Sequence, residues 1–418
     1  MPKASGLSKV AYLVLIIAVS MCFLLYKYFL QIFPAVITAA LQKKFHLSAF
    51  DLGNLAGCFF YAYFIMQIFS GPILDRWPLK YVSALAMVVS AIGLFIFSMS
   101  HFWWGVLLAR LLMGAGASFA TVSYLKMAAI YFENNYAPIA GLLTLAVMIG
   151  ALTGQAPLAY AVKSMGWSHV LMWAAVVGLL VSLAYLVFPK NTQKSVPAHF
   201  FSGLIHVAQQ KNNWFLLFYS GFAFAPLAVL GSLWGIPFIQ VLDHANVIDS
   251  SEVVSWLYVG FGLGGIFFGC LKKYTSHVFL YMFFGLMLSL VCLVFFIYSG
   301  GRSPIYQSLL LGCLGFGTGA FMLGFDVGKQ MNSLALAATV VAFINTGDAF
   351  LGGISDPLIG HILDMLTSFH HVALSAMTIH QYRLAFGILP IYLIVAGVFL
   401  VAVKRSQSGV GFDIKKIA

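Results

Sequence analysis

Charge is scarce in this chain. Only 8% of its 418 residues are Asp, Glu, Lys or Arg, and carboxylates number 11 in all. Ordinary soluble domains carry about 25% charged residues, so that class is excluded. Cysteine is sparse too: Cys22, Cys58, Cys270, Cys292 and Cys313 all fall in apolar segments without metal-ligand spacing. Neither a disulfide nor a metal site is expected from them, and nothing points to a cofactor. Long polar intervals are missing as well. The loops leave no room for a soluble catalytic domain, which argues against an enzyme.

Hydrophobic residues make up 62% of the chain and aromatics 16%, and mean hydropathy is +0.97. Apolar runs of about 20 residues, enough to cross a bilayer as a helix, recur from end to end. The pattern predicts an all-α membrane protein with spans near 10–40, 49–74, 80–99, 103–131, 137–162 and 168–188. A second set follows near 214–241, 251–271, 277–298, 304–328, 334–365 and 383–403. Twelve spans place both termini on one side. Arg76, Lys80, Lys126, Lys190, Lys194, Lys272, Lys273, Lys404 and Arg405 lie on that side, against Lys43, Lys44, Lys163, Arg302 and Arg383 on the other. Loop lysines and arginines mark the cytoplasm, so the termini are expected there. The net charge of +11 is thus read as topology rather than as affinity for nucleic acid. The first apolar run is too long for a cleaved signal peptide, and no small-residue cleavage site follows it.

The longest polar interval divides the chain. The expected organisation is a six-helix bundle over 1–188, a cytoplasmic linker over 189–213, a second bundle over 214–403 and a tail over 404–418. In the linker, Phe200, Phe201, Leu204, Ile205 and Val207 form one face of a short interfacial helix. The two halves echo each other. Gly114-Ala115-Gly116 matches Gly315-Phe316-Gly317, Pro157 matches Pro357, and Leu30-Gln31-Ile32-Phe33-Pro34 matches Leu233-Trp234-Gly235-Ile236-Pro237, all at offsets of about 200. Duplicated six-helix halves around a midplane site are a transporter architecture, and such bundles need no partner, so a monomer is expected.

Lys27 stands out in the first span, flanked by Tyr26 and Tyr28 and followed by Gln31. A charge that deep costs roughly 2.5–3.5 kcal/mol on insertion scales and usually faces a bundle interior or a wet cavity. Either the side chain stretches to the headgroups, or it points into a polar pathway and meets an anionic group. Asp348 lies about fourteen residues into the eleventh span, near the midplane, with Asn345 one turn earlier. It is either a proton-accepting group that is neutral unless paired, or a structural carboxyl hydrogen-bonded to a neighbouring span. Asp356 precedes Pro357 and is placed to cap a helical break. His361 follows it, more often a packing residue than a relay.

The loop Gly71-Pro72-Ile73-Leu74-Asp75-Arg76-Trp77-Pro78-Leu79-Lys80, together with Arg110 and Gly114 in the fourth span, resembles the signatures of the major facilitator superfamily (MFS). Pro78 and Leu79 depart from it. The resemblance implies alternating access, with Asp75 meeting the N-terminus of the eleventh span and Arg76 meeting Glu133 as a cytoplasmic latch. Gly154-Gln155-Ala156-Pro157 lacks the Gly-Pro step of drug antiporters, so those glycines are read as close helix packing. The stretch from Tyr26 to Val36, Tyr63 with Gln67, and Leu233 to Pro237 resemble the phagosomal-transporter (Pht) branch. That resemblance implies import of amino acids, nucleosides or similar nutrients across a bacterial inner membrane.

The expected substrate site therefore comprises Lys27, Gln31, Tyr63, Gln67, Tyr124, Trp234 and Asn345, with Asp348 and Asp356 coupling protons. Arg110 is either a second anion contact or a structural residue on helix carbonyls. The leading reading is a proton-coupled importer of a small polar nutrient, surrounded by lipid. Its alternative is an exporter or antiporter of a drug or an organic-anion metabolite such as a siderophore. A non-transporting receptor is a third reading, and no appended signalling domain supports it.

Overall fold

The computed structural model describes residues 9–132, 136–187, 200–271, 277–299, 303–333, 336–367 and 373–409. Glu133 lies outside them, as do the Asp75 side chain and the histidines at 370 and 371.

Among the described residues, eighteen of nineteen α-helices build twelve membrane-crossing rods, several of them broken near their middle. The first joins α1 (Lys9–Ile32) to α2 (Pro34–Phe45). Then come α3 (Ala49–Arg76), α4 (Leu79–Met99), α5 (Trp103–Ala117) with α6 (Phe119–Tyr131), α7 (Tyr136–Thr153) with α8 (Ala156–Met165), and α9 (Trp167–Val187). A short helix, α10 (Phe200–Gln209), sits between the halves, with Val207 buried. The second set starts with α11 (Lys211–Val229), a π turn over Leu230–Trp234 and α12 (Gly235–Asp243). It continues with α13 (Val247–Leu271), α14 (Val278–Tyr298), α15 (Pro304–Thr318), a 3-10 turn and α16 (Leu323–Met331). The last rods are α17 (Ala337–Met365) and α18 (Ile379–Phe386) with α19 (Ile388–Gly409). Eleven helical stretches among the described residues are long and apolar enough to cross a membrane, and α17, packed along α3 and α11, completes the twelve. The end where α1 starts is called the terminal face here, and the opposite end the distal face.

The breaks follow from chemistry. Pro34 has no N–H, so the carbonyl of Leu30 loses its helical donor and α1 stops. The Pro237 ring poses the same problem 203 positions later (237 minus 34), and there the chain absorbs it in the π turn just before. Pro157 opens α8 after a break at Gly154 and Gln155. Pro357 behaves differently, because α17 runs through it unbroken. Asp356 therefore caps no break, contrary to the sequence expectation; its carboxylate turns sideways to a serine of α11's π turn instead.

The matched glycines do equivalent jobs in the two halves. A Cβ on Gly114 would lie 2.0 Å from the Phe59 carbonyl oxygen, and one on Gly315 would lie 1.9 Å from that of Leu257. Only a missing side chain lets α5 lie against α3, and α15 against α13, that closely. These two contacts make the two six-helix bundles visibly copies of one plan.

Candidate functional site

Lys27 sits in the last third of α1 and is 6% exposed. Its Nζ lies 3.3 Å from the Tyr28 hydroxyl and donates to Thr121 Oγ1 of α6 at 3.4 Å. The amine is also 4.3 Å from the Tyr28 ring centroid and 4.8 Å from that of Tyr63 on α3. It is thus turned into the bundle and caged by two aromatic faces, each worth about 0.5–2 kcal/mol to a cation. Among the described residues no carboxylate oxygen lies within ion-pair distance of it; the pair seen is Lys329 with Asp326, at 3.5 Å near the terminal face.

Asp348 approaches from the other bundle. It is 7% exposed, and its Oδ1 accepts from Ser220 Oγ of α11 at 2.6 Å. Lys27 belongs to α1 of one bundle and Asp348 to α17 of the other, and both side chains are buried. Two ionisable side chains are thus buried in opposite bundles, and among the described residues they do not close into a direct ion pair. Tyr63 and Gln67 lie one turn apart on α3, and each carries a buried oxygen that has no partner among the described residues. Gln31 is buried on α1, and Asn345 lies half-buried one turn before Asp348.

The other residues singled out from the sequence are differently employed. The Tyr124 hydroxyl donates to the Ile139 carbonyl and ties α6 to α7. Trp234 is wholly buried, and its indole N–H donates to the Asp356 carbonyl at 3.3 Å. Asp356 Oδ2 accepts from Ser232 Oγ at 3.0 Å, while Oδ1 has no partner among the described residues. Arg110 donates from Nε to the Leu55 carbonyl at 3.1 Å and from Nη1 to the Leu30 carbonyl at 2.6 Å. Its guanidinium lies over the rings of Phe59 and Phe33. Arg76 is exposed at the end of α3. His361 is exposed, with its ring edge-on to Phe50.

Sequence reasoning did not single out Thr121, Ser220 or Ser232. Gln155 was read only as an interruption of a glycine motif, yet its Nε2 donates at 2.8 Å to the Gly231 carbonyl in the π turn of the other bundle. A lone Ser, Thr or Gln in an apolar run carries no sign of its partner.

Two helical bundles that each bury an ionisable side chain, with cross-bundle polar contacts and rods broken at their middles, define a membrane transporter. The family model of the Major Facilitator Superfamily matches residues 15–355. The chain belongs to that superfamily. It is 24% identical over 171 residues, 40% of its length, to the transporter YybO of Bacillus subtilis (strain 168). It is 20% identical over 156 residues, 36% of its length, to the transporter C460.05 of Schizosaccharomyces pombe (strain 972 / ATCC 24843). Those alignments span 39% and 29% of the two relatives. Among solved structures, a bacterial homologue of the human lysosomal transporter Spinster, in an inward-facing and unoccupied conformation, superimposes with a TM-score of 0.77. It shares 14% identity, over 96% of this chain and 98% of that one. A point mutant of the nucleoside transporter NupG gives a TM-score of 0.71 at 16% identity, over 94% and 99% of the two chains.

Proposed function

We propose that this transporter is a proton-coupled importer of a small polar nutrient, an amino acid, nucleoside or organic anion. It would work as a monomer in a bacterial inner membrane with both termini in the cytoplasm. The observation that carries the reading is the opposition of Lys27 and Asp348, one per bundle, both buried and unpaired with each other. A lysine held in an apolar interior without a carboxylate attracts an anionic or strongly polar group of a substrate. Asp348, held by Ser220 and by no other described residue, is suited to gain a proton when its side of the pathway is wet and to lose it on the other. Tyr63, Gln67, Gln31 and Asn345 supply directional hydrogen bonds around them. Asp356 serves as a second proton-coupling carboxyl. Rocking of the units 1–188 and 214–403 would expose this region to one side at a time, with Asp75, Arg76 and Glu133 latching the cytoplasmic side. NupG, a structural neighbour, is a nucleoside transporter, which keeps nucleosides among the compounds to try.

The test is uptake of labelled amino acids, nucleosides and organic anions into proteoliposomes under an imposed proton gradient. Lys27→Ala is expected to abolish saturable uptake. Asp348→Asn is expected to leave exchange of substrate but to stop its accumulation against a gradient. Accumulation that persists unchanged in both variants sinks the mechanism.

A further inference from the structure

At the distal face α3 begins with its own capping box. Ser48 Oγ accepts from the Asp51 amide at 3.1 Å, and Asp51 Oδ2 accepts from the Ser48 amide at 3.0 Å. The box leaves the amides of Ala49 and Phe50 without a partner inside their own helix. Both are taken by one carboxylate from the other bundle: Asp364, in the last turn of α17, accepts from Ala49 N at 3.0 Å and from Phe50 N at 2.8 Å. A second bridge lies beside it. Gln42, near the end of α2, donates Nε2 to the Leu47 carbonyl at 3.1 Å, and its Oε1 accepts from the Leu374 amide at 3.0 Å. Between these bridges the backbones are pressed together, because a Cβ on Gly360 would lie 2.3 Å from the Ala49 carbonyl oxygen.

We propose that Asp364, assisted by Gln42, is the latch that holds the distal face shut, and that it releases in every transport cycle. The proposal rests on the alternating-access reading above. A carboxylate at a helix N-terminus meets both free N–H groups and the positive end of the dipole, so the closed contact is favourable. The same contact lies at the protein surface, since Asp364 is only half-buried and its bond to the Phe50 amide is exposed. On opening, water replaces Asp364 at the two amides and solvates the carboxylate, so the latch breaks without leaving a buried orphan. Arg110, wholly enclosed, has no such exchange open to it. The latch also mirrors the one expected at the other face. There Asp75 of α3 would approach the start of α17, whereas here Asp364 of α17 holds the start of α3, so the two helices offer carboxylates at opposite ends.

The experiment uses spin labels on Lys43→Cys and Ser375→Cys across the distal face, and on Tyr81→Cys and Gln330→Cys across the terminal face, in a background without exposed native cysteines. Distances are measured by double electron–electron resonance in lipid nanodiscs without substrate. Asp364→Ala is expected to raise the population with a long distal distance about five- to tenfold, the usual consequence of losing a charged cap. The terminal distance should shorten in step. Asp364→Glu should keep the parental distribution, and Gln42→Ala should shift it less and in the same direction. If Asp364→Ala does not fold, Asp364→Asn takes its place, with a smaller shift in the same direction expected because its one amide oxygen can still accept from one of the two N–H groups. Distal and terminal distances that exchange in the parent but ignore Asp364 overturn the latch alone. Distances fixed at both faces in every variant overturn alternating access with it.

Discussion

The Nη1 of Arg110 donates at 2.6 Å to the carbonyl of Leu30, the one carbonyl that Pro34 deprives of its helical donor. A buried guanidinium thus completes a kink made four residues downstream of the oxygen it satisfies. Arg110→Ala leaves that oxygen short of a donor, strips a second bond from the Leu55 carbonyl and opens a cavity, so a loss on the order of 3 kcal/mol is expected. Pro34→Ala returns an N–H to Leu30. The two changes together should cost less than their sum, with a coupling of about 0.5–3 kcal/mol. Thermal melts of the four members of this cycle in one detergent provide the check, and strict additivity would show that the arginine does not serve the kink.

The glycine pair makes a prediction about both bundles at once. Gly114→Ala and Gly315→Ala each push a methyl group to about 2 Å from a backbone oxygen, where no rotamer can relieve it. Each should lower stability by about 1–3 kcal/mol. Gly269 on α13 meets nothing within 4 Å, so Gly269→Ala should be neutral or stabilising by about 0.4–1 kcal/mol. Equal melting temperatures for all three variants would contradict this packing.

The rods and their pairing were legible because long apolar runs and repeated glycines are local signals. Lys27 and Asp348 were legible for a related reason: a charge in an apolar run is conspicuous wherever it points. Their partners were not. Thr121 lies 94 residues from Lys27, and Ala49 lies 315 from Asp364. Serine and threonine in membrane helices commonly bond their own preceding turn, as Ser20 does to the Ile16 carbonyl at 2.8 Å. Ser220 and Ser232 look identical in sequence to that bland case, and only the packing of α11 against α17 separates them. Pro357 misled for the opposite reason, since a strong local breaker sits in a helix that runs on through it, packed against α3 and α11.

The ring of Tyr63 and its hydroxyl have separable roles. The ring lies 4.8 Å from the Lys27 amine, while the hydroxyl is buried without a partner among the described residues. Tyr63→Phe keeps the cation–π contact and should change stability by less than about 0.5 kcal/mol. Tyr63→Leu removes it and should cost about 0.5–2 kcal/mol. If the hydroxyl waits for substrate, Tyr63→Phe also raises the substrate concentration needed for half-maximal thermal stabilisation. An identical concentration dependence in the Tyr63→Phe variant and the parental protein would confine Tyr63 to the cage.

Lys27 offers the sharpest separation of function from stability. Its ammonium is buried against two rings and two hydroxyls, with no carboxylate within ion-pair distance among the described residues. A charge so placed is costly to the empty protein, and removing it in favour of an apolar side chain of similar length should relieve that cost. Lys27→Met is therefore expected to melt a few degrees higher than the parent in the absence of substrate, and to lose uptake completely. A residue that merely held the fold together would behave in the opposite way, lowering the melting temperature when replaced. Stability measured without substrate and uptake measured with it must move in opposite directions for Lys27 to be a binding group. If both fall together, the lysine belongs to the scaffold, and the anion-attracting centre of the pathway has to be sought elsewhere among the buried polar groups of α3 and α17.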